Sequence, residues 1–517
     1  MIKVMTAEQA VANCIKDKDT VAFGGFVGNM LPEEIIHSIR DSYLDKKQPS
    51  GMKLICPAGL GDGNKSGISQ LAHEGLADTI ITSHFGLIPE MMKLAADNKI
   101  AAYNLPLGQI DHLIRAIAGG KPGVLSNVGL QTYIDPRVEG GKVNQKAYDA
   151  GDIIEVAELG GEEYLWYKPM QIDVGIIRAS YVDTRGNCTF HREALYSEAL
   201  AIAQAAHCCG GKVIVQAEKI VEYGVLDTRL VRIPGIYVDA IVETGPDFHG
   251  QTYTTRYNPS YSGETRVPLS SLKKLPLDAR KIIARRAAYE LVPNCVVNLG
   301  IGVPECVSNV AVEEGLGSQL TLTAESGTIG GIPAGGLDFG AAINPDCLVD
   351  QPTQFDFYDG GGLDVAYLGL AQMDKDGNIN VSRFGPKIAG CGGFIDITQN
   401  SSTVVYCGTF TAGGLKIATG DGKVTILQEG KIDKLIDEVE QITFSGKYAA
   451  SIGQRILYVT ERAVFQLTKE GVELIEIAPG IDLEKDVLGH MAFKPIIKDV
   501  KLMDECIFRD EAMGLKI

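Results

Sequence analysis

Between Leu320 and Pro333 the chain reads Leu-Thr-Leu-Thr-Ala-Glu-Ser-Gly-Thr-Ile-Gly-Gly-Ile-Pro. A single acidic residue, Glu325, stands where an alternating apolar stretch gives way to small, flexible residues. The alternation predicts a strand that stops at the carboxylate. In open parallel sheets, ligands bind beyond the carboxyl ends of the strands. Gly327, Gly330 and Gly331 would let backbone amides and a ligand come close there. Two readings stand side by side: a functional carboxylate at a ligand site, or a solvated turn acid, one of 65 Asp and Glu residues.

Motifs that would point to other chemistry fail on spacing. Gly61-Asp62-Gly63-Asn64-Lys65-Ser66 puts Asn64 between Gly and Lys, so it is no phosphate-binding P-loop. Gly24-Gly25-Phe26-Val27-Gly28 lacks the Gly-x-Gly-x-x-Gly spacing of a dinucleotide fold. No Gly-x-Ser-x-Gly elbow with a plausible acid and His stands out. The eleven cysteines include no Cys-x-x-Cys, and the eight histidines complete no zinc spacing. The cysteines read as reduced core thiols, and no metal is expected.

The elements that must position Glu325 come in two echoing sets. Thr6-Ala7-Glu8-Gln9 is a capping box opening a helix. It is followed by a Val21-Ala22-Phe23 strand, a Gly24-Gly25-Phe26 turn and a helix from Pro32-Glu33-Glu34. Downstream, Asp278 opens a helix over 279–291, Val296-Val297-Asn298-Leu299 is a strand, Gly300-Ile301-Gly302-Val303 a turn, and Pro304-Glu305 a helix start. Asp173, Asp183, Gly186 and Asn187 recur at identical spacing as Asp364, Asp374, Gly377 and Asn378. Ile81-Thr82-Ser83-His84-Phe85-Gly86 echoes Leu322-Thr323-Ala324-Glu325-Ser326-Gly327, placing His84 opposite Glu325.

These echoes predict two similar open α/β domains with mostly parallel sheets covered by helices. The expected boundaries are 1–244, a linker over 245–275 rich in Gly, Pro, Thr, Tyr and Ser, and 276–517, the last carrying Glu325. The first copy is longer, which places an insertion near 100–165.

Composition excludes other classes. Hydrophobic residues make up 45% and charged residues 22% of the 517, an ordinary globular balance rather than a disordered chain. The net charge of -17 supplies no footprint for a nucleic-acid backbone. No run reaches the ~18 apolar residues of a membrane span. The opening Met1-Ile2-Lys3-Val4 with Lys16, Asp17, Lys18 and Asp19 is neither signal nor transit peptide. A cytoplasmic protein without nucleic-acid or membrane partners is expected.

Taken together, Gly24-Gly25-Phe26, Tyr103-Asn104-Leu105-Pro106, Asp183-x-x-Gly186-Asn187, Asn298-Leu299-Gly300-Ile301-Gly302-Val303-Pro304, Glu325-Ser326-Gly327, Gly392-Gly393-Phe394-Ile395-Asp396 and Ala478-Pro479-Gly480-Ile481-Asp482 resemble the class I CoA-transferases. The resemblance runs over nearly the whole chain and is closest to the short-chain branch that contains propionate CoA-transferase. Met30 departs from a family Gly. Ala324-Glu325-Ser326-Gly327 departs from the Ser-Glu-Asn-Gly of the ketoacid branch and points to small monocarboxylates.

The resemblance implies an active site between the two domains and Glu325 as a nucleophile that forms a glutamyl-CoA thioester in a ping-pong cycle. It implies Gly392 and Gly393 as oxyanion donors, and Gly300 and Gly302 beside the pantetheine arm. Arg383 and Lys387 would face the CoA phosphates. Gly24, Gly25, Phe26 and His84 would shape the acid pocket. CoA would be a co-substrate, with no tightly bound cofactor and no ATP. Acetyl-, propionyl- or lactoyl-CoA and a short-chain carboxylate would be the partners, and the chain would form a homo-oligomer, dimer or tetramer. Two alternatives use the same residues differently: an acyl-CoA hydrolase with water as acceptor, and a non-catalytic module that binds or senses CoA or a phosphate ester.

Overall fold

The computed structural model describes residues 3–268 and 274–517. Eight strands of the first half run parallel in one sheet, to which Cys188–Thr189 and Val231–Ile233 add short antiparallel pairings. Across it the order is Lys3–Val4, Ala240–Glu243, Lys212–Val221, Val174–Asp183, Thr20–Phe23, Met52–Cys56, Ala77–Thr82 and Ala101–Asn104. The central strands are buried end to end: every residue of Thr20–Phe23 and nine of the ten in Val174–Asp183. That is the pattern of a sheet covered on both faces. The capping box forms as expected, with the Thr6 hydroxyl accepting from the Gln9 amide at 3.3 Å and the Gln9 side chain accepting from the Thr6 amide.

The second sheet runs Thr321–Ala324, Val296–Leu299, Val365–Gly369, Thr403–Cys407, Arg455–Val459, Ala463–Thr468, Gly471–Ile477 and Ile496–Leu502. Its first five strands are parallel and the next two antiparallel. The fold is thus α/β with mostly parallel sheets. Between Asn104 and Val174 the first half adds the Leu107–Ala118 and Gln145–Ala150 helices and a small antiparallel sheet of Val124–Ser126, Glu162–Tyr167 and Ile154–Leu159.

Compactness does not follow chain order. One unit comprises 1–267, 324–356 and 384–396; the other comprises 268–323, 357–383 and 397–517. This corrects the expectation that Glu325 packs with the second half: its strand belongs there, but the turn it opens packs into the first unit. The stretch expected as a linker also differs. Residues 245–267 pack into the first unit, where Tyr261 is buried against Ala194 and Ala341. Residues 269–273 of that stretch lie outside the described residues. All eleven cysteines are free, seven of them buried. Among the described residues no helix is long and apolar enough to cross a membrane.

Candidate active site

Glu325 follows directly on the Thr321–Ala324 strand, at its carboxyl end. Its carboxyl meets the segment Ala389-Gly390-Cys391-Gly392-Gly393. The Gly393 amide donates to the carboxyl group, and a Cβ at Gly393 would collide with its Oε2, so only glycine lets backbone and acid approach this closely. Ser326, fully buried, fixes the turn by donating its hydroxyl to the Gly340 carbonyl at 2.6 Å.

The same segment meets His84. His84 and Gly390 form an antiparallel bridge, the Phe85 and Gly86 amides donate to the Ala389 carbonyl at 2.7 and 3.0 Å, and the Gly392 amide donates to Ser83 at 2.8 Å. Asn104 ties the corner together. Its amide donates to Thr82 and Ser83 carbonyls, and its oxygen accepts from the Cys391 amide and the Tyr133 hydroxyl. His84 and Glu325, which echo one another in sequence, are therefore both held on one short glycine-rich segment. The amide of Gly392 is committed to Ser83, so of the two expected oxyanion donors only Gly393 faces the acid.

Two further carboxyls, Asp396 and Asp111, act on one another and on Glu325, and a third, Glu198, acts on Asp111; sequence reasoning missed their role. Asp111, Glu198 and Asp396 have no exposed surface. Asp396 sits at the start of the Leu107–Ala118 helix, accepting from the Gly108 amide at 3.2 Å and from Gln109 Nε2 at 3.0 Å. Glu198 Oε1 accepts from the Gly25 amide at 3.0 Å, while its Oε2 and both Asp111 oxygens have no partner.

Burial, then the Asp396 charge, push Glu325 up to about 8 against the Gly393 hydrogen bond. Burial raises Asp111 well above the usual carboxylate range, with the Glu198 and Asp396 charges adding to it. Burial also raises Glu198 and Asp396. His84 is pushed down to about 4 by burial, so it is neutral at pH 7, and its Nδ1 has no partner. Glu325 therefore rests mostly protonated at pH 7, with its carboxylate the minority form.

The remaining expected residues divide between the units. Gly24, Gly25 and Phe26 lie in the first. The Gly24 amide donates to Ile176 at 3.0 Å, and the Phe26 ring packs 5.6 Å from Phe339, beside Gly340. Lys387 is exposed there. Gly300, Gly302 and Arg383 belong to the second unit. The Gly300 amide donates to Tyr367 at 2.8 Å. Gly302 has φ +93° with open space beside it, and its carbonyl accepts from Arg280. The Arg383 backbone is held by the Asn380 side chain.

A coenzyme A transferase family model matches residues 4–244. Acetate CoA-transferase YdiF of Escherichia coli K12 is 44% identical, over 99% of this chain and 96% of that protein. Caffeate CoA-transferase of Acetobacterium woodii is also 44% identical, over 100% of this chain and 99% of its own. The structure matches the thioester complex with CoA of YdiF from Escherichia coli O157:H7 at a TM-score of 0.94, with 42% identity, covering 100% of this chain and 98% of that one. The chain is a class I CoA-transferase.

The transferase thus exchanges CoA, as co-substrate, between an acyl-CoA and a carboxylate. Of the residues missed, Asp396 and Asn104 stood inside the stretches that carried the family resemblance. Nothing in local sequence distinguishes Asp111 or Glu198 from the other acids. Only folding places one on the helix after Pro106 and the other just before the Ala199–Cys208 helix, beneath Gly25.

Proposed function

We propose that this transferase moves CoA between short-chain acyl-CoAs (acetyl-, propionyl- or lactoyl-CoA) and short-chain monocarboxylates, through a thioester on Glu325. The observation that carries the reading is the Gly393 amide donating to the Glu325 carboxylate. In the first step the ionised carboxylate attacks the thioester carbonyl, forming a mixed anhydride and releasing CoA thiolate. The thiolate then attacks Glu325 Cδ, giving the glutamyl thioester and freeing the first acid. The acceptor carboxylate reverses both steps, which makes the cycle ping-pong.

An amide already resting on the Glu325 carboxyl group stays in place as negative charge builds on its oxygen in the tetrahedral intermediates at Cδ. A preorganised donor of this kind is worth about 3–4 kcal/mol of barrier. At a pKa of about 8, roughly one carboxyl in ten is ionised at pH 7. Burial and the neighbouring Asp396 charge disfavour the ionised form, and a carboxylate destabilised in this way is the more reactive nucleophile once formed. Ala324 and Ser326 flank it with small side chains, in keeping with small acids. Gly300 and Gly302 are proposed to lie along the pantetheine arm, with Arg383 and Lys387 toward the phosphates; Gly24, Gly25, Phe26 and His84 are proposed to shape the acid pocket.

Incubation with propionyl-CoA alone tests the proposal. A CoA adduct should accumulate on the peptide bearing Glu325, disappear on adding acetate, and be reduced by borohydride with loss of activity. Transferase activity retained by Glu325→Ala would sink it. Thiol release that proceeds equally without acetate would mark a hydrolase instead.

A further inference from the structure

Away from Glu325, the first unit holds a cavity of about 360 Å3 whose wall includes Arg178, Arg192, Arg256 and His249 together with Glu193 and Glu218. Arg178 and Arg256 also line a second cavity of about 320 Å3. In a chain of net charge -17 this is a local reversal of sign. Arg178, on the Val174–Asp183 strand and 2% exposed, clamps Glu193 with Nε and Nη2 at 3.2 and 2.8 Å, and its Nη1 is not part of that clamp. Arg192 gives Nε to Glu218 at 3.0 Å, and its guanidinium lies 4.0 Å from the centre of the Tyr257 ring, which fixes its plane. The Glu193 and Glu218 charges are each taken up by one arginine, and Arg256 leaves the wall positive.

His249 adds a second, independent feature. Its side chain is 3% exposed, with Nε2 3.2 Å from Glu193 Oε1. Burial pushes Glu193 up, but Arg178 and His249 outweigh it and hold the acid at about 2, an ionised acceptor. Nε2 therefore carries the ring proton, and Nδ1, buried without a partner, is an unmatched acceptor on a side chain that lines the cavity. Burial, then the Arg178 charge, push the ring's pKa down against the pull of Glu193. A complementary ligand must bring negative charge for the guanidinium groups and an O–H for the imidazole. Three guanidinium groups suit a phosphate, which offers several acceptor oxygens to planar donors, better than a single carboxylate.

We propose that this cavity binds a small phosphate ester carrying a free hydroxyl, at a site separate from Glu325. The wall is linked to the catalytic turn through its own segment: the hydroxyls of Thr252, Thr254 and Thr255 bond Asp338, two residues before the Gly340 carbonyl that holds Ser326.

The test is calorimetric titration of the full-length protein with glycerol 3-phosphate, with methyl phosphate as the analogue lacking a free hydroxyl. Saturable one-to-one binding is expected in the wild type and in Glu325→Gln, with the same affinity when CoA is saturating. Arg256→Ala, at an exposed position, and Arg192→Gln should each weaken binding by about tenfold or more, the loss of one charge-assisted contact. Methyl phosphate should bind more weakly than the ester with its hydroxyl. The proposal is overturned if millimolar ester gives no saturable binding, if both arginine variants bind as the wild type does, if CoA displaces the ester, or if methyl phosphate binds equally well.

Discussion

The two halves of the chain build the same corner twice and use it differently. In the first, Asp173 accepts from the Thr20 amide at 2.9 Å; in the second, Asp364 accepts from Val296 at 2.8 Å. Ten residues on, Asp183 accepts from the Arg185 and Asn187 amides and from Asn187 Nδ2; Asp374 accepts from Asp376, Asn378 and Asn378 Nδ2. Asn187 then takes the Gly235 amide, and Asn378 the Gly446 amide. The Gly24 and Gly300 amides donate to Ile176 and Tyr367, each three residues past the first Asp of its pair. The copies part beyond these frames. One strand end carries neutral, half-buried His84 and the other carries Glu325. The repeat supplies the frame, and under the proposed mechanism the side chain at the strand end decides which copy can form a covalent bond.

The largest effect should therefore separate Glu325 from His84. Glu325→Gln keeps size and hydrogen bonding but cannot attack, and should lower kcat by about four orders of magnitude or more, as removal of a covalent nucleophile does. His84→Gln should cost about tenfold at most, because an imidazole at about 4 holds no charge to lend. Steady-state rates with propionyl-CoA and acetate check both. Equal losses would dissolve the distinction between the two copies.

Gly392 and Gly393 sharpen the contrast at the next level. Gly392 has φ +53° and open space for a Cβ, so Gly392→Ala should cost about 1–2 kcal/mol in denaturant midpoint analysis and leave kcat within a few-fold. Gly393→Ala drives a methyl into the Glu325 carboxyl and toward Phe355. It should lower kcat by about 100-fold or more while the fold survives, since displacing an acid by an ångström from its donor costs that much.

Much of this frame was legible in the sequence because it rests on local chemistry. The Thr6 cap, the Val296–Leu299 strand, the Asp/Asn turns and the strand ending at Glu325 each follow from residues within a few positions of one another. What stayed hidden depends on long-range closure. Gly108 and Asp396 meet across 288 residues, and Gly25 and Glu198 across 173. No periodicity marks an acid as buried among acids; only the crossing of distant segments raises its pKa. The packing of 324–356 into the first unit was unreadable for the same reason, since a strand's sheet is set by its pattern but the turn after it goes where its contacts lie.

Stability gives a smaller test of the repeat. Asn378 is the more buried of the paired amides. Asn378→Ala leaves the Asp374 carboxylate and the Gly446 amide short of partners in a dry setting and should cost about 2–3 kcal/mol. Asn187→Ala, partly wetted, should cost about 1–2 kcal/mol. Urea unfolding of the two variants checks the order, and a reversed order would mean that burial does not rank these turns.

The smallest effect lies in pH dependence, where the sign follows from Glu325 being raised. The folded chain keeps that proton until about pH 8, whereas the unfolded chain releases it near ~4.3. Between these values the folded state binds more protons, so this group's contribution makes stability fall as pH rises. Glu325→Gln, which stands in for the protonated form, should therefore gain in Tm over the wild type progressively from pH 5 to pH 8. Over the same window kcat/KM for acyl-CoA should climb, since free enzyme must ionise Glu325 to attack. Asp396→Asn removes the neighbouring charge that adds to burial in raising Glu325, so the midpoint of that climb should move to lower pH by up to about one unit. His84→Gln should leave the midpoint in place, because a neutral imidazole contributes no field. A midpoint that shifts with His84 and not with Asp396 would transfer control of the nucleophile from the carboxyl cluster to the first copy's strand end.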